Sequence, residues 1–380
     1  MGMLKKALAL CVAGAVVGLT GCGSGNESAG VGADFDAEKY FAGKTIRVIV
    51  QQTAGGGTDI QGRVIADELV KYIPGNPRVT VTNIPGKGGL EDVYDARADD
   101  LVFGVASQAS EIYTAPLTEG ADLEPEKLQF IGSMGEEERA VIAYGDAAAA
   151  FPSIRDAFGS DDPVLINAAS VGGPGDIFNE MFFLPWLCNN MEMNCKFISI
   201  ADDGSSDLDI MIQRGEMNWD AAPVTVAFRN SLDEIREGKT RIFLTLYGDT
   251  GTKTIWPSDV APSPVLKDLV SAELYEQFEN MKPMVTSGGF GKNFFAGPSM
   301  PSEVIDVMRD AFDQVAADQD LMDRLSRMVG GEGEKLFEVT ALSGEQTQEI
   351  FVATTRLFNE ELPTYQKMQE EFYQQYWSRG

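Results

Sequence analysis

The chain reads as an α/β protein whose strands and helices come in two successive sets, each expected to build a mainly parallel sheet flanked by helices. Three observations predict this. Apolar β-branched runs alternate with helical 3–4-residue spacing from Thr45 to Val105, and the same rhythm returns from Val164 to Leu246. A glycine run, Gly55-Gly56-Gly57, sits where the first such strand turns into the first such helix. A length of 380 residues with 44% hydrophobic content provides for about two cores of ordinary domain size.

The amino terminus comes first. Lys5 and Lys6 precede a 13-residue apolar stretch, Ala7 to Leu19, which suits a cleaved export signal and is short for a membrane span. Leu19-Thr20-Gly21-Cys22 follows directly and resembles a bacterial lipobox, whose Cys becomes the acylated first residue of the mature protein. Residues 1–21 are therefore expected to be a lipoprotein signal peptide, with Cys22 the lipidation site. Residues 22–36 are expected to form a lipidated tether, because Gly23 to Ala33 are Gly-, Ser- and Ala-rich without hydrophobic period. The alternative is an ordinary secretory signal with a chance Cys. Either way the expected location is the periplasm or cell surface, as a membrane-anchored lipoprotein on the first reading.

The first set of elements begins with the strand Thr45–Val50. Thr58 and Asp59 offer amino-terminal capping to a helix through Ile60, Val64, Ile65 and Leu69. Arg78–Thr82 is a second strand, followed by the loop Asn83-Ile84-Pro85-Gly86-Lys87-Gly88-Gly89. Leu101–Val105 is a third strand, ending in Ser107-Gln108. In the second set, Val164–Ile166 leads to Ala168–Gly173, with Asp176 a candidate cap. Lys196–Ile200 is a strand, Leu208–Ile212 a helix, and Met217–Trp219 a short strand ending at Asp220. Arg241–Leu246 closes the set. Pro257–Pro264 is turn-rich and carries the chain back. A helix runs from Pro301 through Val315, a short one spans Asp320–Met328, and helical spacing covers Ser343 to Trp377, where Pro363 should kink or divide it.

Composition narrows the chemistry. The formal charge is −28, and loss of Lys5 and Lys6 would make the mature chain more acidic still. Such a surface repels nucleic acid and anionic headgroups, so no nucleic-acid partner is expected. The chain has no histidine, which removes Ser-His-Asp and Cys-His catalysis, His-ligated zinc and His-based switching. No nucleophile elbow or metal cluster stands in its place. An enzyme is not expected, nor is any cofactor or metal. After signal removal and lipidation, Cys188 and Cys195 remain, close in sequence and in an oxidising compartment. A disulfide between them is expected; two buried free thiols are the alternative.

The motifs gain meaning together. Glycines between a strand and a helix let a backbone approach a ligand, and the helix start favours an anion. The run lacks the Lys of a phosphate loop and the Gly spacing of a dinucleotide fingerprint. In order, however, Ile46–Val50, Gly55-Gly56-Gly57-Thr58-Asp59 and Asn83-Ile84-Pro85-Gly86-Lys87-Gly88-Gly89 resemble the Bug-type solute receptors of tripartite tricarboxylate transporters. Gly104 and Ser107, Ser170, Gly172 and Gly173, Gly204, Gly215 and Asp220, and Phe295–Pro298 with Pro301 extend the likeness over about residues 40 to 370. Gln51-Gln52 departs from the family's Pro-Phe, and Ala201, Asp202 and Asp203 replace its second-lobe Tyr-Lys.

The resemblance implies a two-lobe, periplasmic-binding-protein-like architecture with the ligand cleft between the lobes. It assigns residues 37–140 to lobe 1, 141–284 to lobe 2, and 285–380 to the return to lobe 1 and the carboxyl-terminal helices. It further implies a small-carboxylate ligand, held by Gly56, Gly57, Thr58, Asp59, Ser107, Gln108, Ser170, Gly172, Gly173 and Asp220, and delivery to the membrane permease subunits of a tripartite transporter. Lys87 reads as a solvated loop tip. Competing readings are a receptor feeding a signalling partner and an extracytoplasmic α/β enzyme.

Overall fold

A computed structural model describes residues 35–106, 123–135, 137–167, 182–198, 211–246, 252–285, 290–329, 334–372 and 374–375. The expectations at Cys22, Ser107, Gln108, Ser170, Gly172, Gly173, Asp176 and 201–204 lie outside the described residues.

The first lobe opens with α1 (Ala37–Phe41), β1 (Thr45–Val50), α2 (Gly57–Leu69), β2 (Arg78–Asn83), α3 (Lys87–Tyr94), β3 (Val102–Ala106) and β4 (Gln129–Gly135). The second holds β5 (Arg139–Tyr144), α4 (Gly145–Ala150), α5 (Ile154–Ala157), β6 (Val164–Asn167), α6 (Leu184–Asn190), β7 (Cys195–Ile198), β8 (Trp219–Pro223), α7 (Val224–Arg236) and β9 (Thr240–Thr245). After these come β10 (Lys253–Thr254), α8 (Ala272–Val285), β11 (Phe290–Ala296), α9 (Ser302–Ala317), α10 (Gln319–Val329), β12 (Phe337–Glu338), β13 (Ala341–Ser343) and α11 (Gly344–Phe372).

Among the described residues two large sheets form, in the orders β13-β4-β11-β3-β1-β2 and β7-β6-β8-β5-β9, with a small antiparallel pair β10-β12 besides. Each large sheet is mixed rather than mainly parallel. In the first, β1 pairs parallel with β2 and β3, while β11 runs against β3 and β4, and β13 against β4. In the second, β6 is parallel to β7 and β8, and β5 runs against β8 and β9. Antiparallel strands β4, β5 and β11 flank the passages of the chain between sheets. The chain leaves the first sheet after Gly135, enters the second at Arg139, and re-enters the first at Phe290.

The parallel part follows its sequence closely. β1 is buried along most of its length and sits between β2 and β3. α2 packs Ile65, Ala66 and Leu69 inward, and Gly62 lets it approach the sheet: a Cβ there would lie 3.3 Å from Val105. Three expectations shift. α3 starts at Lys87, inside the stretch read as loop. β8 runs to Pro223 rather than ending at Asp220. Pro363 sits inside a single continuous α11. Burial on both sides of the proline offsets its lost hydrogen bond, because Phe358 and Tyr365 stack 5.2 Å apart across it.

α11 ties the lobes together. Phe351 packs on Phe130 of β4 at 4.4 Å, Tyr365 lies 6.4 Å from Phe182, and Phe372 meets Phe197 of β7 edge-on at 5.6 Å. One apolar cluster accordingly includes Phe130 and Leu90 of the first lobe with Val141, Ala143 and Trp219 of the second. Cys188 and Cys195 are bonded, with Cα atoms 6.1 Å apart, and join α6 to β7. No helix among the described residues is long and apolar enough to cross a membrane.

Candidate functional site

Strands β1 and β2 lie side by side and parallel, so the helices that follow them start next to one another. Between β1 and α2 the chain must reverse, and Gly55 does so at φ +84°, where a side chain is strained. Gly86 sets up α3 at φ +68°, and Gly89 admits no Cβ, which would fall 2.1 Å from the Ile84 carbonyl.

Asp59 holds this turn. Its Oδ2 accepts from the Gly55 amide at 2.9 Å, while Oδ1 accepts from Asn83 Nδ2 at 2.9 Å and from Arg63 Nε at 2.8 Å. Asn83 also donates to the Gln52 carbonyl at 2.9 Å and accepts from Arg63 Nη2 at 2.6 Å. Burial pushes the Asp59 carboxyl up, but the bonds from Arg63, Gly55 and Asn83 outweigh it and hold the pKa below the usual carboxylate value. The carboxylate is thus spent on the turn, bracing α2 against the end of β2. Thr58 beside it is buried at 4% exposure.

The second lobe reaches this turn through α7. A Cβ built on Gly57 would lie 2.9 Å from Arg229 Nη1, so the guanidinium stands directly against the first residue of α2. Below it, Glu137 in the crossing from β4 to β5 pairs with Lys292 of β11 at 2.7 Å, both side chains nearly buried. Burial would raise the Glu137 carboxyl. The Lys292 ammonium, with help from the Thr225 hydroxyl and the Arg229 charge, instead holds it low. Across the crossing, burial raises the pKa of Glu138 above its usual value despite hydrogen bonds from Thr254 and Thr245.

Gly56 precedes α2, and Gly57, Thr58 and Asp59 form its first turn. Asp220 lies near the amino-terminal end of β8, where its Oδ1 accepts from the Ala221 amide at 2.7 Å. Lys87 opens α3 rather than tipping a loop and pairs with Glu91 at 3.3 Å. Among the described residues no group of His, Cys, Asp and Glu could hold a metal ion.

Sequence reasoning misses Arg229 and Gln51. Arg229 lies in a helix that carried no motif, and only the fold places it opposite Gly57. Gln51 did give a signal, as a polar residue ending an otherwise apolar strand. It is 3% exposed, its Cγ lies against Gly89 of α3, and its Nε2 has no partner among the described residues.

No family model matches the chain. Over 89 residues it is 37% identical to a UPF0065 protein in the gbd 5' region of Cupriavidus necator, a match spanning 26% of that relative's length. Solved structures match far more of it. The periplasmic binding protein BugD superposes with a TM-score of 0.60 at 18% identity, over 87% of this chain and 97% of that one. MatC from Rhodopseudomonas palustris with bound malate gives 0.57 at 17% identity, over 86% and 99%. A second R. palustris protein, with adipate, gives 0.58 at 13% identity, over 84% and 97%. At these identities the likeness establishes the fold, which is the one the motifs of the first lobe imply.

Proposed function

We propose that this chain, which has the fold of BugD and MatC, is an extracytoplasmic solute receptor that binds a small organic carboxylate between its lobes. The observation that carries the reading is the braced turn at Gly55–Asp59. Asp59, Asn83 and Arg63 hold the starts of α2 and α3 side by side at the carboxyl ends of two parallel strands. Open N–H groups at such helix starts favour an anion. Malate and adipate in the related structures point to the same ligand class. The absence of histidine supports binding without turnover.

The finer reading is delivery of the ligand to the permease subunits of a tripartite transporter, with Cys22 anchoring the receptor by lipid. Ligand binding is tested by thermal shift against mono-, di- and tricarboxylates. A ligand at a hundredfold excess over its Kd should stabilise the protein by about 2.7 kcal/mol. A panel in which no acid stabilises it would refute the receptor reading. The anchor is tested by Cys22→Ala, which should leave precursor that takes up no labelled fatty acid; normal labelling of that variant refutes it.

A further inference from the structure

The carboxyl edge of the first sheet carries two buried amide side chains, each lacking one hydrogen bond. In the register of β1 and β3, Val50 stands opposite Val105. The Gln51 amide extends that register with a bond to the Val105 carbonyl at 2.9 Å, which sets Gln51 beside Ala106. On the other edge of β3, Ala106 pairs with Asn293 of β11. The three residues thus form one row across three strands. Paired residues share a face of a sheet, and side chains alternate along each strand. Ile49, Ala106 and Phe295 belong to one apolar cluster, so Gln51 and Asn293 point to that same side.

Gln51 is 3% exposed and Asn293 is wholly buried. Asn293 Nδ2 donates to the Gly291 carbonyl at 2.8 Å, while its Oδ1 has no donor and Gln51 Nε2 no acceptor among the described residues. Ser133, opposite Asn293 on β4, gives its hydroxyl to the Met134 carbonyl at 2.8 Å instead. Neighbouring strands lie about 4.8 Å apart, so roughly 10 Å separates the two backbones, with only the methyl group of Ala106 between them. The row therefore offers a donor at one end, an acceptor at the other and a small side chain in the middle. Its place fits a ligand. The parallel strands β1 and β3 end here, where open α/β sheets take their ligands. Gln51 also packs against Gly89 in the first turn of α3, whose start no side chain caps.

A carboxylate answers only half of this row, since it accepts from Gln51 and is repelled by Asn293 Oδ1. A hydroxyl or a carboxamide answers both, because each accepts and donates. We infer that Gln51 and Asn293 are specificity-determining residues that read a neutral group of this kind on the ligand, beside the carboxylate held at the helix starts. Gln51 Nε2 donates to the oxygen of that group, and Asn293 Oδ1 accepts its hydrogen. The preferred ligand is then a hydroxy acid or an amide-bearing acid rather than an unsubstituted one. This rests on the carboxylate reading above.

Calorimetry on the mature chain tests it with short straight-chain acids, each against its hydroxylated forms and against the acid of equal length that ends in a carboxamide. Two neutral hydrogen bonds predict that the best substituted acid binds about five- to hundredfold more tightly than its parent. Gln51→Leu should abolish most of that preference while the parent acid binds as it does to the wild type. Its ligand-free melting temperature should equal or exceed the wild-type value, because an unmade buried bond is gone. Asn293→Leu should abolish the preference too; because it also gives up the bond to Gly291, Gln51→Leu decides alone if that variant does not fold. Equal binding of parent and substituted acids by the wild type overturns the inference, as does a preference that survives in Gln51→Leu. So does a Gln51→Leu variant that melts lower with every affinity unchanged, which would assign the row to bound water. Each of these leaves the receptor reading standing. Failure of every acid, here and in the wider carboxylate panel, takes the receptor reading down with the inference.

Discussion

At the scale of single residues, two buried polar side chains beside the glycine turn have opposite fates. Asp59 accepts from three partners, Gly55, Asn83 and Arg63, and Gln51 Nε2 has none among the described residues. The Asp59 carboxyl is held below its unfolded value, so its stabilising contribution is complete above the unfolded pKa and fades as pH falls through the folded one. Asp59→Asn should therefore lower the urea midpoint at neutral pH, by about 1–3 kcal/mol in stability. The gap should narrow as pH falls from the ordinary aspartate value of about 4, that of the unfolded chain, through the lower pKa of Asp59 in the folded one. A gap that stays constant from neutral to acid pH would show that the charge of Asp59 does not brace the turn. Gln51→Leu removes a buried donor that lacks a partner. It should stabilise the ligand-free protein by about 1–2 kcal/mol and at the same time weaken carboxylate binding. Equal losses with and without ligand would make Gln51 a packing residue. The glycines and Asp59 are legible in the sequence because φ above zero and capping are local requirements. Gln51 and Arg229 are not, because whether a donor is satisfied depends on what the fold sets opposite it.

At the scale of elements, the amphipathic and buried-strand patterns locate β1, α2, β2, β3, β6, β9, α9 and α10 to within a few residues. The antiparallel strands β4, β5 and β11 escape it. Gln129–Gly135 mixes Gly132, Ser133 and Gly135 among its apolar residues, and Phe312 packs where a side chain on Gly132 would be, 2.2 Å from its Cβ position. Such a strand shows neither alternation nor a β-branched run, and tertiary packing alone defines it. Pro363 shows the same override in α11. Loss of the Cys188–Cys195 bond should loosen α6 against β7 and cost about 2–3 kcal/mol, as the chain-entropy account gives for so short a loop. Chemical denaturation before and after reduction, with the thiols alkylated, measures this. Unchanged stability would mean that packing of Phe183, Leu184 and Leu187 holds the segment without the bond.

At the scale of the whole molecule, the two large sheets are joined by the crossing at Glu137 and Glu138, by the return into β11, and by α11 packed on both lobes. The buried Glu137–Lys292 pair sits at that junction, where the charge of Arg229 also acts on Glu137. The repeated strand–helix rhythm makes two lobes legible in the sequence, but the crossings follow only from strand pairing. On the proposed function, a ligand carboxylate binds at the start of α2. Gly57→Val tests this most directly, since any side chain there meets Arg229 and occupies the space the anion needs. Calorimetry with the best carboxylate from the panel, on a variant whose melting temperature matches the wild type, is the deciding measurement. Gly57→Val should show no measurable heat of binding at ligand concentrations that saturate the wild type. Wild-type affinity in that variant would place the ligand elsewhere and contradict it.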